Sequence, residues 1–281
     1  MTENGHLLIS CPDRPGIVAR VSTLLFDCGA NITESAQHST DPFGGRFFMR
    51  LAFTIATTEQ ARVANALQVV ATELDASTHL HWASQRKRMA IFFSREAHCV
   101  LELLWRHRAG ELAVDIPVVM SNHKEHGQAI RDLGYPFLHV PVVKDNKRAA
   151  EAEQLRFLQG VDFLVLARYM QILTPDFLAS FARPIVNIHH SFLPAFVGAR
   201  PYERAYARGV KIIGATAHYV TEDLDEGPIV EQGVERVGHG HTVEDLKAIG
   251  RQIERAVLAR AVRWHVEDRV VIHDNKTIVF E

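Results

Sequence analysis

Three kinds of feature are scarce in this chain, and each scarcity removes a class of explanation. Cysteine occurs only as Cys11, Cys28 and Cys99. The number is odd, the spacing is wide and no Cys-x-x-Cys pair exists, so neither a disulfide framework nor a cysteine-based zinc site is expected, and the thiols should be reduced and buried. Net charge is nearly absent, −2 from 31 Lys+Arg against 33 Asp+Glu, which argues against nucleic acid or any other polyanion as a main ligand. No apolar run reaches membrane-spanning length. Met1 to Gly5 carries neither a basic n-region nor an apolar h-region, so a cytoplasmic location with no membrane partner is the expectation. A further absence is local. The turn Phe93 to His98 lacks a glycine fingerprint, which disfavours a dinucleotide or phosphate site there.

What is present is an ordinary globular composition, 47% hydrophobic and 23% charged over 281 residues, enough for one large domain or two smaller ones. Sixteen histidines are many, but His38, His79, His81, His107 and His265 stand without ligand spacing and read as surface or satisfied residues. His239-Gly240-His241 reads as a loop ahead of a helix. No metal and no cofactor is expected.

The first eighty residues alternate in a definite order. His6 to Ser10 is an apolar strand, and Ile17 to Cys28 places Ile17, Val18, Val21, Leu24 and Leu25 at helical spacing, with Gly29 ending the helix. Asn31 to His38 and Arg46 to Ala56 read as strands around the turn at Asp41 to Gly45. A helix over Thr58 to Leu74 and a strand over Thr78 to Trp82 complete a βαββαβ, ferredoxin-like unit at residues 1–83. Residues 84–88, polar and basic, read as a linker. From 89 to 281, continuous apolar strands (Met89 to Phe93, Ile116 to Met120, Phe137 to Val140, Phe163 to Ala167) alternate with helices. This predicts an α/β, Rossmann-like, mostly parallel, doubly wound sheet covered on both faces. Thr242 with Glu244 and Asp245 opens a long helix to about His265, and a hairpin ends the chain.

Within the second domain Ile185, Val186 and Ile188 mark a buried strand stopped by Pro194. Residues two apart on a strand share a face, so Asn187 and His189 project together at its C-terminal end, where such sheets bind ligands. An amide can stabilise an oxyanion and an imidazole can move protons near neutral pH. Asp225, just before a Glu-Gly-Pro turn, can hold a carboxylate against the imidazole. With no Ser or Cys nucleophile required, the trio suits attack by water or an amine on an activated carbonyl. His190 should face away from His189.

Two long runs, Asn187 to Tyr202 and Gly214 to Ile229, closely resemble the formyltransferase-like family that uses 10-formyltetrahydrofolate, and within it the hydrolases that release formate. The resemblance implies Asn187, His189 and Asp225 as catalytic residues, with His218 behind Asp225. It places folate against Leu166 to Leu173, with Met170, Ile172 and Leu173 as apolar walls, and against Glu222. A loop over Gly198 to Pro201 would cover the site, with Arg200 meeting an anionic group. In related transferases the turn after the first strand of this domain is glycine-rich and holds the phosphate of the accepting amine. Its absence here points to water as acceptor, and so to formate released for purine synthesis. Transfer to an unidentified amine, or a non-catalytic amino-acid sensor, are the competing readings.

The first domain resembles an ACT domain through Asp13 to Val18 and Gly29 to Ile32. That likeness implies a homo-oligomer and an amino-acid effector, glycine or methionine, at Asp13, Gly16 and Asn31. A domain that only pairs subunits fits the same residues.

Overall fold

Strand alternation in the first unit sorts its residues onto two faces of one sheet. The structure, a computed structural model, describes residues 1–194 and 200–281. Strands β1 (Thr2–Pro12), β2 (Asn31–Ser39), β3 (Arg46–Ala56) and β4 (Ser77–Trp82) pair antiparallel in the order β2-β3-β1-β4. Leu7, Ile9 and Cys11 of β1 and Met49, Leu51 and Phe53 of β3 point to one face. There they pack on Val21, Leu24 and Leu25 of helix α1 (Ile17–Asp27) and on Val63, Leu67 and Val70 of α2 (Gln60–Leu74). Gly29, at φ 77°, takes the left-handed turn that ends α1, and the Ala30 N–H reaches back to the Leu25 carbonyl.

The opposite face of that sheet changes the expected domain boundaries. Residues 1–86 form one compact unit together with 267–273 and 277–281, while 87–266 and 274–276 form the other. The chain after Val266 therefore does not belong wholly with the second domain, as a division at 84–88 had implied. Arg50 supplies the reason. It is 1% exposed, donates from Nε to the Asp268 carbonyl and from Nη2 to the Glu267 carbonyl, both at 3.0 Å, and pairs through Nη1 with Glu34 at 2.8 Å. A buried guanidinium must be given acceptors, and the returning backbone provides two of them. Burial works against the Glu34 carboxylate, yet Arg50 and Arg269 together hold its pKa below the ordinary value. Lys87 and Arg88, expected in the linker, begin a strand instead.

The second unit holds a seven-stranded sheet. Its strands are β5 (Lys87–Phe93), β6 (Val114–Ser121), β7 (Phe137–His139), β8 (Phe163–Leu166), β9 (Ile185–His189), β10 (Ile212–Tyr219) and β11 (Ile229–Arg236), in the order β11-β10-β9-β8-β5-β6-β7. The five from β9 to β7 are parallel, and β10 and β11 are antiparallel. Met89 to Phe93 and Phe163 to Val165 are all 0% exposed, as strands covered on both faces require. Helices α3 (His98–Arg108), α4 (Gly127–Asp132), α5 (Lys147–Phe157), α6 (Pro175–Phe181), α7 (Pro201–Arg208) and α8 (Val243–Val266) connect or follow them. Thr242 and Asp245 cap α8 reciprocally, the Asp245 N–H on the Thr242 hydroxyl and the Thr242 N–H on Asp245 Oδ2. The terminal hairpin is β12 (Val270–His273) with β13 (Lys276–Val279). No helix among the described residues is long and apolar enough to cross a membrane.

Candidate active site

The register of β9 against β10 places the polar residues before any loop is considered. Asn187 lies directly opposite His218, and His189 opposite Thr216. A bulge between Ala217 and His218 breaks the β10 pairing with β11 at this point, the kind of irregularity that re-aims a side chain. His218 Nδ1 donates to the Tyr219 carbonyl at 2.9 Å, so the neutral ring presents a lone pair at Nε2. Burial lowers the His218 pKa, which keeps the ring neutral at pH 7. That lone pair accepts from Asn187 Nδ2 at 3.1 Å. The contact settles which way the Asn187 amide faces, and the second of its two N–H bonds has no partner among the described residues.

Asp225 comes from the segment between β10 and β11 and adopts φ 60°, a left-handed conformation that Asp tolerates. Its Oδ1 sits 3.2 Å from His189 Nδ1 and 3.8 Å from His218 Nε2. The hydrogen bond from His189, more than any other cause, lowers the Asp225 pKa, so this group is a carboxylate at neutral pH. His189 therefore carries a hydrogen on Nδ1 and turns Nε2 away from Asp225. That Nε2 is buried and has no hydrogen-bond partner among the described residues. His190 stacks on His189 with ring centroids 5.1 Å apart, and burial with the Arg168 charge lowers its pKa to about 4. Against the expectation that it faces away, His190 also lines the cavity described next. Two adjacent rings at a strand end stack when the chain turns there.

A cavity of about 390 Å³ opens on this group, large enough for a heterocycle with a short substituent. Asn187, His189, His218 and Asp225 line it, as do Met170, Ile172, Leu173 and Glu222. The structure thus brings the residues read as chemical and those read as folate walls to one place. Met170 and Ile172 are 56% and 60% exposed, whereas Leu173 belongs also to the core. Arg200 lines the same cavity. Gly198 and Ala199 of the anticipated covering loop lie outside the described residues. In the first unit, Asp13 accepts from the Ser39 hydroxyl, Gly16 precedes α1 at φ 92°, and Asn31 opens β2 at the surface.

Sequence reasoning missed Arg168 as a functional candidate, although it stands inside the quoted segment. Arg168 lines the cavity and adopts φ 64°. The turn that carries it is pinned from β5: the Ser94 N–H donates to the Arg168 carbonyl and the Met170 N–H to Ser94 Oγ, at 3.1 and 2.9 Å. Ser94 in turn donates to Asn122 at 2.7 Å. Behind the cavity, Glu254 is 1% exposed and receives Tyr202 at 2.8 Å, His98 Nε2 at 2.7 Å and the Arg168 charge at 3.3 Å. Burial alone would raise the Glu254 pKa, but the His98 hydrogen bond and the Arg168 charge hold it below its ordinary value. Gly250 makes room for Tyr202, since a Cβ there would lie 1.9 Å from the Tyr202 hydroxyl.

Comparison with known proteins places this geometry. Residues 87–262 match the family model described as formyl transferase, and residues 6–69 the one described as ACT domain. The chain is 55% identical to the formyltetrahydrofolate deformylase of Bacillus subtilis strain 168, with 99% of this chain and 94% of that protein covered. The crystal structure of a formyltetrahydrofolate deformylase from Pseudomonas syringae pv. tomato superposes with a TM-score of 0.94 at 46% identity, covering 100% of this chain and 95% of that one. The glycinamide ribonucleotide transformylase 1 of Symbiobacterium toebii matches with a TM-score of 0.66 at 31% identity, over 72% of this chain and 98% of that one. Near-complete coverage at such identity separates the first two from the third, and the chain belongs to the formyltetrahydrofolate deformylase family.

Proposed function

We propose that this chain hydrolyses 10-formyltetrahydrofolate to formate and tetrahydrofolate, with His189 as the proton carrier, Asp225 as its orienting carboxylate and Asn187 as the oxyanion donor. The observation that carries this reading is the pairing of His189 Nδ1 with Asp225 at 3.2 Å while Nε2, buried and without a partner among the described residues, borders the cavity. As water adds to the formyl carbon, its proton passes to Nε2 and the carbonyl π electrons move onto oxygen. The remaining Asn187 N–H receives that oxyanion, and His218 keeps the amide turned so that it can. Collapse breaks the bond from the formyl carbon to the folate N10. The imidazolium returns its proton to N10, and tetrahydrofolate leaves with formic acid, which gives up its proton to solvent as formate. Met170, Ile172 and Leu173 offer apolar surface to the pterin, with Glu222 at the same wall. No metal or cofactor enters this scheme.

Water, rather than an amine, is favoured as acceptor by the β5–α3 turn. It has no glycine, and its Ser94 hydroxyl is committed to Asn122 and to the Met170 N–H. The first unit is assigned an effector role through its ACT likeness, with glycine or methionine at Asp13, Gly16 and Asn31 and pairing of identical chains. We place the enzyme in the cytoplasm, releasing formate for purine synthesis. The test is formate release by the purified chain from 10-formyltetrahydrofolate without an amine, with and without glycine or methionine. Equal amounts of formate and tetrahydrofolate, lost in His189→Ala, are expected. Turnover only on addition of an amine would overturn the hydrolytic reading.

A further inference from the structure

In the first unit, three histidines converge on one buried carboxylate far from any role in the scheme above. His6 on β1 is directly opposite His81 on β4, and Leu8 is opposite His79. Directly opposite residues share a face, as do residues two apart, so His6, His79 and His81 all project from the side of the sheet that α1 and α2 do not cover. Onto that side comes Asp268, 5% exposed and held by its own carbonyl on Arg50. His81 Nδ1 lies 3.0 Å and His6 Nδ1 3.5 Å from Asp268 Oδ2, and His79 Nε2 lies 3.3 Å from Oδ1. The His6, His81 and Asp268 ligand atoms are mutually within 4.8 Å.

The tautomer of His81 makes this arrangement specific. Its Nε2 is 2.7 Å from the Gln85 carbonyl, which can only accept, so Nε2 carries a hydrogen and Nδ1 is the nitrogen turned to Asp268, which it can meet as an N–H donor or through a shared cation. A histidine donating one ring N–H to a backbone carbonyl while offering the other nitrogen is also the usual arrangement of a metal ligand. Tetrahedral bonds of about 2.0–2.1 Å put neighbouring ligand atoms about 3.4 Å apart, close to the 3.0 and 3.5 Å that separate Asp268 Oδ2 from His81 Nδ1 and His6 Nδ1. We infer that His6 Nδ1, His81 Nδ1 and Asp268 Oδ2 form a site for a divalent cation of the zinc class, with His79 steadying the second carboxylate oxygen. The ion clips residues 267–273 to the sheet. Mixed imidazole and carboxylate ligands suit zinc or cobalt over calcium or magnesium.

A second grouping, His98, Cys99 and Glu254, is a poorer host. The Arg168 guanidinium already stands 3.3 Å from Glu254, and burial raises the Cys99 thiol well above its ordinary pKa.

The test uses the untagged full-length chain, stripped with chelator and titrated with Co²⁺. One Co²⁺ per chain is expected, with the visible bands of a tetrahedral nitrogen and oxygen site and no sulfur charge-transfer band. Zn²⁺ should displace it and raise the thermal midpoint. His81→Ala should weaken Co²⁺ binding at least about tenfold, and His6→Gln, a milder change, should do the same. Failure to take up Co²⁺ would overturn the site. Undiminished uptake in both variants, or a sulfur band that disappears in Cys99→Ser, would also overturn it.

Discussion

The two units each gather imidazoles around a left-handed aspartate, and they use them differently. In the second unit Asp225, at φ 60°, takes the Nδ1 hydrogen of His189, and the far ring nitrogen is left beside a cavity. In the first, Asp268, at φ 53°, receives the near nitrogens of His6 and His81, while the far nitrogen of His81 is spent on the Gln85 carbonyl. On the readings proposed above, the same residue types give a proton carrier in one place and a clip in the other. The difference lies in what the far ring nitrogen meets: a cavity at His189 and a backbone carbonyl at His81. Composition does not distinguish the two clusters; orientation does.

The comparison breaks first at His189. His189→Ala should reduce the rate of formate release at least about a hundredfold with no change in the circular-dichroism melt, because it removes the proton carrier but no fold contact of comparable worth. Near-normal turnover would put the chemistry elsewhere. Asp225→Asn keeps the size and removes the charge, and should cost about a hundredfold, chiefly in kcat, since the His189 tautomer is no longer dictated. A change confined to KM would make Asp225 a binding group instead.

On the first-unit side, Arg50→Met should destabilise by about 3 kcal/mol, since it strands two backbone carbonyls and Glu34. Hydrogen exchange should quicken at residues 267–273 before the helices α1 and α2, and uniform quickening would contradict the proposed fastening. The smallest effect is expected from His190. Between about 4 and 6.5 the unfolded chain binds a proton at His190 that the folded chain does not. Its contribution to stability is thus full above pH 6.5 and is lost as pH falls towards 4. Urea unfolding across that range should give a flatter pH dependence in His190→Gln, and an unchanged slope would remove His190 from the account.

Much of the fold was legible because its signals are local. The turn at Asp41 to Gly45 marked β3 at Arg46–Ala56, helical spacing from Ile17 marked α1, and continuous apolar runs marked the parallel strands. The pairing of Asn187 with His189 followed from strand geometry alone. Other features depended on partners distant in sequence. β1 runs from Thr2 because its whole length pairs with β3, not because Thr2 to Gly5 is apolar. Helix α7 is amphipathic but only 8 residues long, too short for its period to stand out. His79 and His81 read as scattered surface residues because Asp268, which gathers them, comes nearly two hundred positions later.

By itself the sequence determined most of the strands and helices, that there are two domains, and which amide, imidazole and carboxylate to look for together. Those follow from side-chain periodicity and from long contiguous runs, both written in neighbouring residues. Only the tertiary structure decided that the chain end returns to the first unit, that Arg168 borders the cavity, and which nitrogen of each histidine meets its aspartate. Those depend on burial, because a buried charge must find partners wherever the fold brings them.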